Sequence, residues 1–352
     1  MSKRRVASIV DVARSAGVST ATVSRYFNAP ERVGGDTRAR IAAAIEHLGY
    51  VRNRVAGSLH NRRSGAVGLV VPTVDNAIFA EMIEAFSNRL RHHDYTMLIA
   101  SHGYNLDLES ELVQTLLERR ADAVALVGLD HLPRTLDLLG TRDVPSLLLW
   151  NYDRSGQRPC VGFDNEEAGW RVTRYLIDLG HRAFAVISGE TGANDRARGR
   201  REGAMRALSE SGLALRPDWV HECRYDVGEA KALTQRLLTG RERPTAIVCG
   251  NDIIAHGALF GAQSVGRRVP RDVSVVGVGD FRLSAHIEPG LSTVRIPAPR
   301  IGQAAADAIM QLIQGAEQLP RVLIESELRI RGSSAPPPSP DIDLGARQRQ
   351  VS

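Results

Sequence analysis

Val10-Asp11-Val12-Ala13-Arg14-Ser15-Ala16-Gly17-Val18-Ser19-Thr20-Ala21-Thr22-Val23-Ser24-Arg25 decides how the amino-terminal end folds. Ala13 and Ala16 are small enough for two helices to cross closely. Gly17 permits a sharp backbone turn, and Val12, Val18 and Val23 lock the pair. Ser8 and Ser19 are placed to cap these helices, because a hydroxyl accepts from the free amides of a first turn. The spacing predicts helices over 9–15, 20–28 and about 37–48, with Pro30 and Gly34-Gly35 in a loop and a stop at Gly49. Ile9, Val12, Ala13, Val18, Val23, Phe27, Ile41, Ile45 and Leu48 fall at helical spacing and can close one small core.

That packing leaves Thr20, Ala21 and Arg25 projecting from the second helix. Such a helix fits the major groove of DNA, where an arginine donates two bonds to guanine, a pair worth about 1–3 kcal/mol of base discrimination. Ala21 can offer a base only a methyl contact. Ser19, Thr22, Ser24 and Asn28 can hold phosphates, which positions the helix without reading sequence. The charge agrees. Residues 1–63 hold twelve Lys/Arg against four Asp/Glu, a surplus of +8 that leaves −3 for the rest of a chain with net charge +5. A basic small segment on a slightly acidic large one suggests a nucleic-acid reader on a body with another task. The plain alternative is a three-helix bundle with a solvated basic face.

The composition, 43% hydrophobic and 24% charged over 352 residues, is that of a globular protein of more than one domain. No run of some 18 apolar residues is present to span a membrane. No apolar stretch follows the basic residues 1–5, so no secretory signal is expected and the cytoplasm is. Cys160, Cys223 and Cys249 stand far apart, which argues against disulfides and zinc. No cofactor or metal is expected.

From Ala66 short apolar runs alternate with amphipathic stretches. Strands are expected over 67–71, 96–100, 123–127, 146–150, 184–187, 246–249 and 273–278. Helices are expected near 78–92, 108–119, 165–179, 197–211, 228–239, 252–265 and 299–314. Such alternation means parallel sheets covered on both faces, here too many units for one sheet, hence two lobes. The fold class is therefore an all-α helix-turn-helix head plus an α/β body of two parallel-sheet lobes. Residues 332–352, with Ala335-Pro336-Pro337-Pro338-Ser339-Pro340, read as a disordered tail.

The Asp-Val-Ala, Ala-Gly-Val-Ser and Thr-Val-Ser-Arg runs resemble the helix-turn-helix signature of the lac repressor family (LacI/GalR type) of bacterial transcription regulators. The resemblance continues through Leu48-Gly49-Tyr50, Gly68-Leu69-Val70-Val71-Pro72 and Val161-Gly162-Phe163-Asp164-Asn165. It runs on through Arg200-Arg201-Glu202-Gly203, Gly250-Asn251-Asp252 and Arg268-Val269-Pro270-Arg271-Asp272. It implies a head over 1–51, a hinge over 52–64 and an effector-binding, dimerising core over 65–331 of periplasmic-binding-protein type. Within that core it implies an N-lobe of 65–161 and 293–320 and a C-lobe of 162–292 and 321–331. In the hinge it implies a minor-groove wedge at Leu59. Two positions depart from the family pattern: Arg52 replaces a usual proline and Gly57 a usual arginine. A glycine there weakens the hinge helix by roughly 1 kcal/mol against alanine, so the hinge is expected to depend more on DNA.

A ligand in such a body sits in the cleft at the strand ends. The loop residues there are Asn76, Phe79, Ser101, His102, Trp150, Asn151, Arg200, Asn251, Asp252 and Asp280. Asp252 and Arg200 lead, since a carboxylate accepts two hydroxyls, a guanidinium donates several bonds, and both match effector-contacting positions of relatives. The competing roles are a helix cap for Asp252, a surface ion pair for Arg200, and core packing for Phe79 and Trp150. Relatives often carry Gly-Phe-Asp-Asp where this chain has Gly277-Val278-Gly279-Asp280, so one acid is missing. The chain most resembles the gluconate-responsive subgroup, through stretches such as Ser24-Arg25-Tyr26-Phe27, His102-Gly103-Tyr104 and His131-Leu132-Pro133-Arg134. That implies a sugar-acid effector such as gluconate, with His102 and Arg200 balancing its carboxylate, and a homodimer on palindromic operator DNA. The alternatives are a sugar-binding protein without a DNA role and a dinucleotide enzyme. Gly277-Val278-Gly279 lacks the third glycine the enzyme would need.

Overall fold

The computed structural model describes residues 7–52 and 63–338, and the chain divides into two units at Ser64. In the first, α1 (Ile9–Ala16) opens on a reciprocal cap: Ser8 Oγ accepts from the Asp11 amide at 3.3 Å, and the Asp11 carboxylate accepts from the Ser8 amide at 2.9 Å. Gly17 then turns the chain at φ 63°. Next, α2 (Thr20–Asn28) is capped by Ser19, which accepts from the Thr22 amide at 3.1 Å. The third helix, α3 (Gly35–Leu48), ends at Gly49 with φ 57° and starts ahead of Thr37, so Gly35 belongs to its first turn and not to the loop. Val12, Ala13, Ala16, Val23, Val33, Ile41 and Ala44 form the buried core, ringed by Ile9, Val18, Phe27, Ile45 and Leu48. The hinge stretch from Asn53, with Gly57 and Leu59, lies outside the described residues.

The second unit runs β1 (Ala66–Val71), α4 (Ala77–Arg91), β2 (Thr96–Ser101), α5 (Leu106–Glu118), β3 (Ala123–Val127), α6 (Pro133–Thr141), β4 (Ser146–Asn151) and β5 (Cys160–Phe163). It continues α7 (Asn165–Asp178), β6 (Phe184–Gly189), α8 (Asp195–Glu210), β7 (Val220–Cys223), α9 (Val227–Thr239), β8 (Ala246–Cys249), α10 (Asp252–Ser264), β9 (Ser274–Gly279) and β10 (Ser292–Arg295). It returns through α11 (Ala298–Ile313), β11 (Arg321–Leu323) and β12 (Glu327–Arg329). One sheet has the order β11-β5-β4-β3-β1-β2 and the other β12-β10-β9-β8-β6-β7. Both have the same doubly wound order, and in both the strand order reverses beside the first strand, which is where such sheets bind ligands. Among the described residues only β12 is antiparallel, on β10.

The lobe boundaries differ from expectation by a few residues. β5 and β11 pair in the first sheet and β10 in the second, so the chain crosses after Phe163, after Arg295 and after Leu323. Residues 162–163 and 321–323 therefore belong to the N-lobe and 293–295 to the C-lobe. These strands of three or four residues run straight into the crossings, which blurs where strand ends and connection begins. Helix α6 and strands β7 and β12 were not expected either.

The start of the expected tail is ordered, and residues 339–352 lie outside the described residues. Ser333 is buried: its Oγ donates to Val275 O at 2.6 Å and accepts from the Ser292 amide at 2.8 Å. Ala335 O accepts from Ser274 Oγ at 3.0 Å and bonds His181 Nε2 at 2.9 Å. The proline-rich composition obscured a clip that satisfies polar groups at the start of β9 and β10.

Two glycine crossings fix the helix positions. A Cβ on Gly302 of α11 would meet Met82 O at 2.4 Å. On α7 and α8, a Cβ on Gly169 would meet Arg200 O at 2.0 Å and one on Gly203 would meet Glu166 O at 1.9 Å. That second contact sets α8 against α7 and so places Arg200.

Candidate functional sites

On the head, Thr20, Ala21, Ser24, Arg25 and Asn28 are exposed, and among the described residues Arg25 has no ion-pair partner. Ser19 Oγ and Thr22 Oγ1 lie 2.9 Å apart, and Asn28 Nδ2 donates to Ser24 Oγ at 3.3 Å. One helix therefore carries a free guanidinium flanked by a row of hydroxyls and an amide. That arrangement suits a polyanion read from its groove.

In the body a narrow cavity of about 20 Å³ lies between the lobes. Its lining includes Asn76, Phe79, Trp150, Arg200 and Asn251, all five expected. Asn76 and Asn251 also cap helices, accepting from the Ile78 amide at 3.4 Å and the Ile254 amide at 3.0 Å, so the N-termini of α4 and α10 meet the cavity. Trp150 takes a left-handed φ of 76° at the end of β4, and its ring centroid is 4.6 Å from that of Phe79. Arg200 is buried and donates to Asn165 Oδ1 and to the Tyr225 hydroxyl, each at 3.2 Å, while its Nε has no partner.

Three expected residues do not reach this cavity. His102 is buried beside Glu109, 3.7 Å away, and burial holds its pKa below the ordinary value, so it is poorly suited to balance a carboxylate. Asp252 is spent internally: it accepts from Ser284 Oγ and Thr293 Oγ1 at 2.6 Å each and from the Phe281 amide at 2.9 Å. Full burial raises its pKa, against those three bonds. It is not the cap of α10 either, because Asn251 does that. Asp280 accepts from Arg331 at 2.6 Å. Of the remaining two, Ser101 donates to Pro72 O at 3.2 Å, and Asn151 donates to Asp195 at 2.7 Å.

The sequence reading missed Tyr104, Arg196 and Tyr225, which line the cavity. Arg196 stands one helical turn before Arg200, a spacing that was there to be read. Tyr225 follows the unrecognised β7. The Tyr104 and Tyr225 rings, 6.0 Å apart, face each other from opposite lobes, and burial raises the Tyr104 pKa.

Polar contacts join the lobes beside the cavity. Arg198 Nη2 of α8 reaches both oxygens of Asp130, after β3, at 2.7 and 3.0 Å. Asp195 accepts from the Leu129 amide at 3.0 Å, and Arg196, paired with Asp195 at 2.8 Å, donates to Val127 O at 3.2 Å. Arg282 donates to Glu81 at 2.8 Å.

Comparison with known proteins covers both units. Residues 8–53 match the model of bacterial regulatory proteins of the lacI family. Residues 64–331 match that of periplasmic binding proteins and the sugar-binding domain of the LacI family. The chain is 32% identical over 320 residues to the HTH-type transcriptional repressor PurR of Yersinia enterocolitica, covering 90% of this chain and 94% of the relative. It is similar to the solved lac repressor dimer bound to operator and the anti-inducer ONPF, at TM-score 0.84 and 26% identity, covering 94% of this chain and 100% of that one. It is also similar to the transcription regulator GntR from Chromobacterium violaceum, at TM-score 0.72 and 29% identity, covering 76% of this chain and 99% of that one.

Proposed function

Since the chain belongs to the LacI family of bacterial regulators, and is a DNA-binding repressor with an effector-binding body and not an enzyme, we propose that its effector is a sugar acid such as gluconate. In this reading a homodimer holds the operator of a catabolic operon, and the ligand biases the grip of its two heads. Arg200 carries the reading. It is a buried cation on the cavity wall, bonded only to neutral oxygens, and among the described residues no carboxylate lies within 4.0 Å of it. An unpaired buried charge is expensive, and a carboxylate delivered by a ligand removes the penalty. The helix N-termini capped by Asn76 and Asn251 favour the same sign of charge. Phe79 and Trp150 offer an apolar wall to the C–H face of a sugar.

On the head, Thr20, Ala21 and Arg25 read bases. Ser19, Thr22, Ser24 and Asn28 hold phosphates, and Leu59 wedges the minor groove.

Thermal shift with gluconate, glucose and a neutral purine base tests the effector. Gluconate should raise the melting temperature of the wild type and not of Arg200→Met. Equal stabilisation by glucose or the purine, indifferent to Arg200→Met, would overturn the sugar-acid reading. Gel shifts with and without gluconate then show whether it releases or tightens DNA.

A further inference from the structure

We propose that Arg52 is a positioning residue for DNA binding, which fixes the Asn28 side-chain amide so that its NH2 group, and not its oxygen, faces the phosphate. This rests on the reading of Asn28 as a phosphate contact.

Arg52 follows the last packed residues of the head, and its guanidinium is held from two sides. It lies over the Phe27 ring, 5.0 Å from the centroid, and donates through Nη1 to Phe27 O at 3.3 Å. Phe27 is itself wedged between Tyr26 and Tyr50, with ring centroids 5.2 and 6.3 Å away. The carbonyls of the last turn of α2 lack helical partners and sit at the negative end of the helix dipole, so a cation is favoured there. The second guanidinium nitrogen, Nη2, donates to Asn28 Oδ1.

The chemistry of that bond dictates the orientation of the amide. A guanidinium only donates, so it selects the amide oxygen, and the nitrogen must then point the other way. Asn28 Nδ2 accordingly lies along the exposed face of α2, donating to Ser24 Oγ at 3.3 Å. Phosphate oxygens only accept. With Arg52 in place, Asn28 meets the backbone of the duplex donor first. Without it the exposed amide turns freely, and in the reversed orientation an oxygen opposes the phosphate.

The test measures binding of the full-length chain to a duplex that the wild type enriches from a random library. Arg52→Met keeps an apolar stem over Phe27 and removes the donors. Its affinity should fall about twofold per head, and so about fourfold for a pair of heads, because half of a freely turning amide population faces the phosphate the wrong way. Asn28→Ala should lose at least as much, and the double variant no more than Asn28→Ala alone. Arg52→Lys, which restores a donor, should recover affinity when Asn28 is present and not in the Asn28→Ala background. Arg52→Lys also serves as the second variant should Arg52→Met unfold the head, a point that melting of each variant decides.

Additive losses, or a lysine rescue that ignores Asn28, would overturn the proposal and leave Asn28 a phosphate contact. So would a salt slope lower by about 0.9 in Arg52→Met, which would mark Arg52 itself as the phosphate ligand. Undiminished binding by Asn28→Ala would overturn the reading of Asn28 and the proposal together.

Discussion

Replacing Asp130 by Asn should loosen the cleft before any ligand arrives. The Asp130 carboxylate receives Arg198 Nη2 at 2.7 and 3.0 Å, and this bond, the largest influence on Arg198, raises its pKa. The two side chains are 34% and 26% exposed, so water screens the pair in part. Exposed ion pairs contribute about 0.2–1 kcal/mol and hydrogen bonds to charged groups about 1.5–3 kcal/mol; a half-screened contact falls near 1 kcal/mol. That corresponds to roughly a fivefold rise in the open population. The bonds of Asp195, Arg196 and Arg282 across the same gap remain, so the lobes stay together most of the time. Amide hydrogen exchange reads this directly, because the Leu129 amide is bonded to Asp195 across the lobes. Its exchange in the ligand-free protein should quicken about fivefold in Asp130→Asn, the ratio just reasoned for the open population. Unchanged exchange at Leu129 would refute a role for the Arg198–Asp130 contact in holding the cleft.

Gly203→Ala sets a methyl group where Glu166 O would be 1.9 Å away, so it should cost about 1–3 kcal/mol in denaturant melts and weaken effector binding by shifting Arg200; a neutral melt would count against the α7–α8 crossing. Truncation after residue 332 removes the buried Ser333 and should lower the melting temperature, by the roughly 1 kcal/mol or more of each buried hydrogen bond lost. Burial lowers the pKa of His181, so the folded state holds it neutral while the unfolded chain takes up a proton below about pH 6.5. Unfolded chains then bind more protons, and stability falls as pH drops through that value. The wild type should lose more stability than His181→Gln between about pH 7.5 and 5.5, and equal losses would refute the assignment.

The head was legible almost to the residue because its signals are local. Ser8 and Ser19 cap, Gly17 and Gly49 turn, and the valines repeat at helical spacing. The fully buried strands β3 and β8 stood out as continuous apolar runs, as strands buried on both faces do. What escaped was set by distant partners. β11 exists because Arg321 to Leu323 pair with Cys160 to Gly162, far back in the chain. The cavity was legible in part: Arg200 and the two capping asparagines hold their places. Asp252 does not, because nothing local announces that Ser284 and Thr293 will saturate its carboxylate. Tyr225 likewise depends on where β7 delivers the chain.

Both sheets are finished by the end of the polypeptide: β11 completes one, and β12 with the Ser333 clip completes the other. During synthesis neither lobe can close until the residues up to Ser333 have left the ribosome. The head draws its whole core from residues near the start and can assemble while the body is still nascent. A prematurely terminated product would therefore carry a folded DNA-reading module with no working sensor attached.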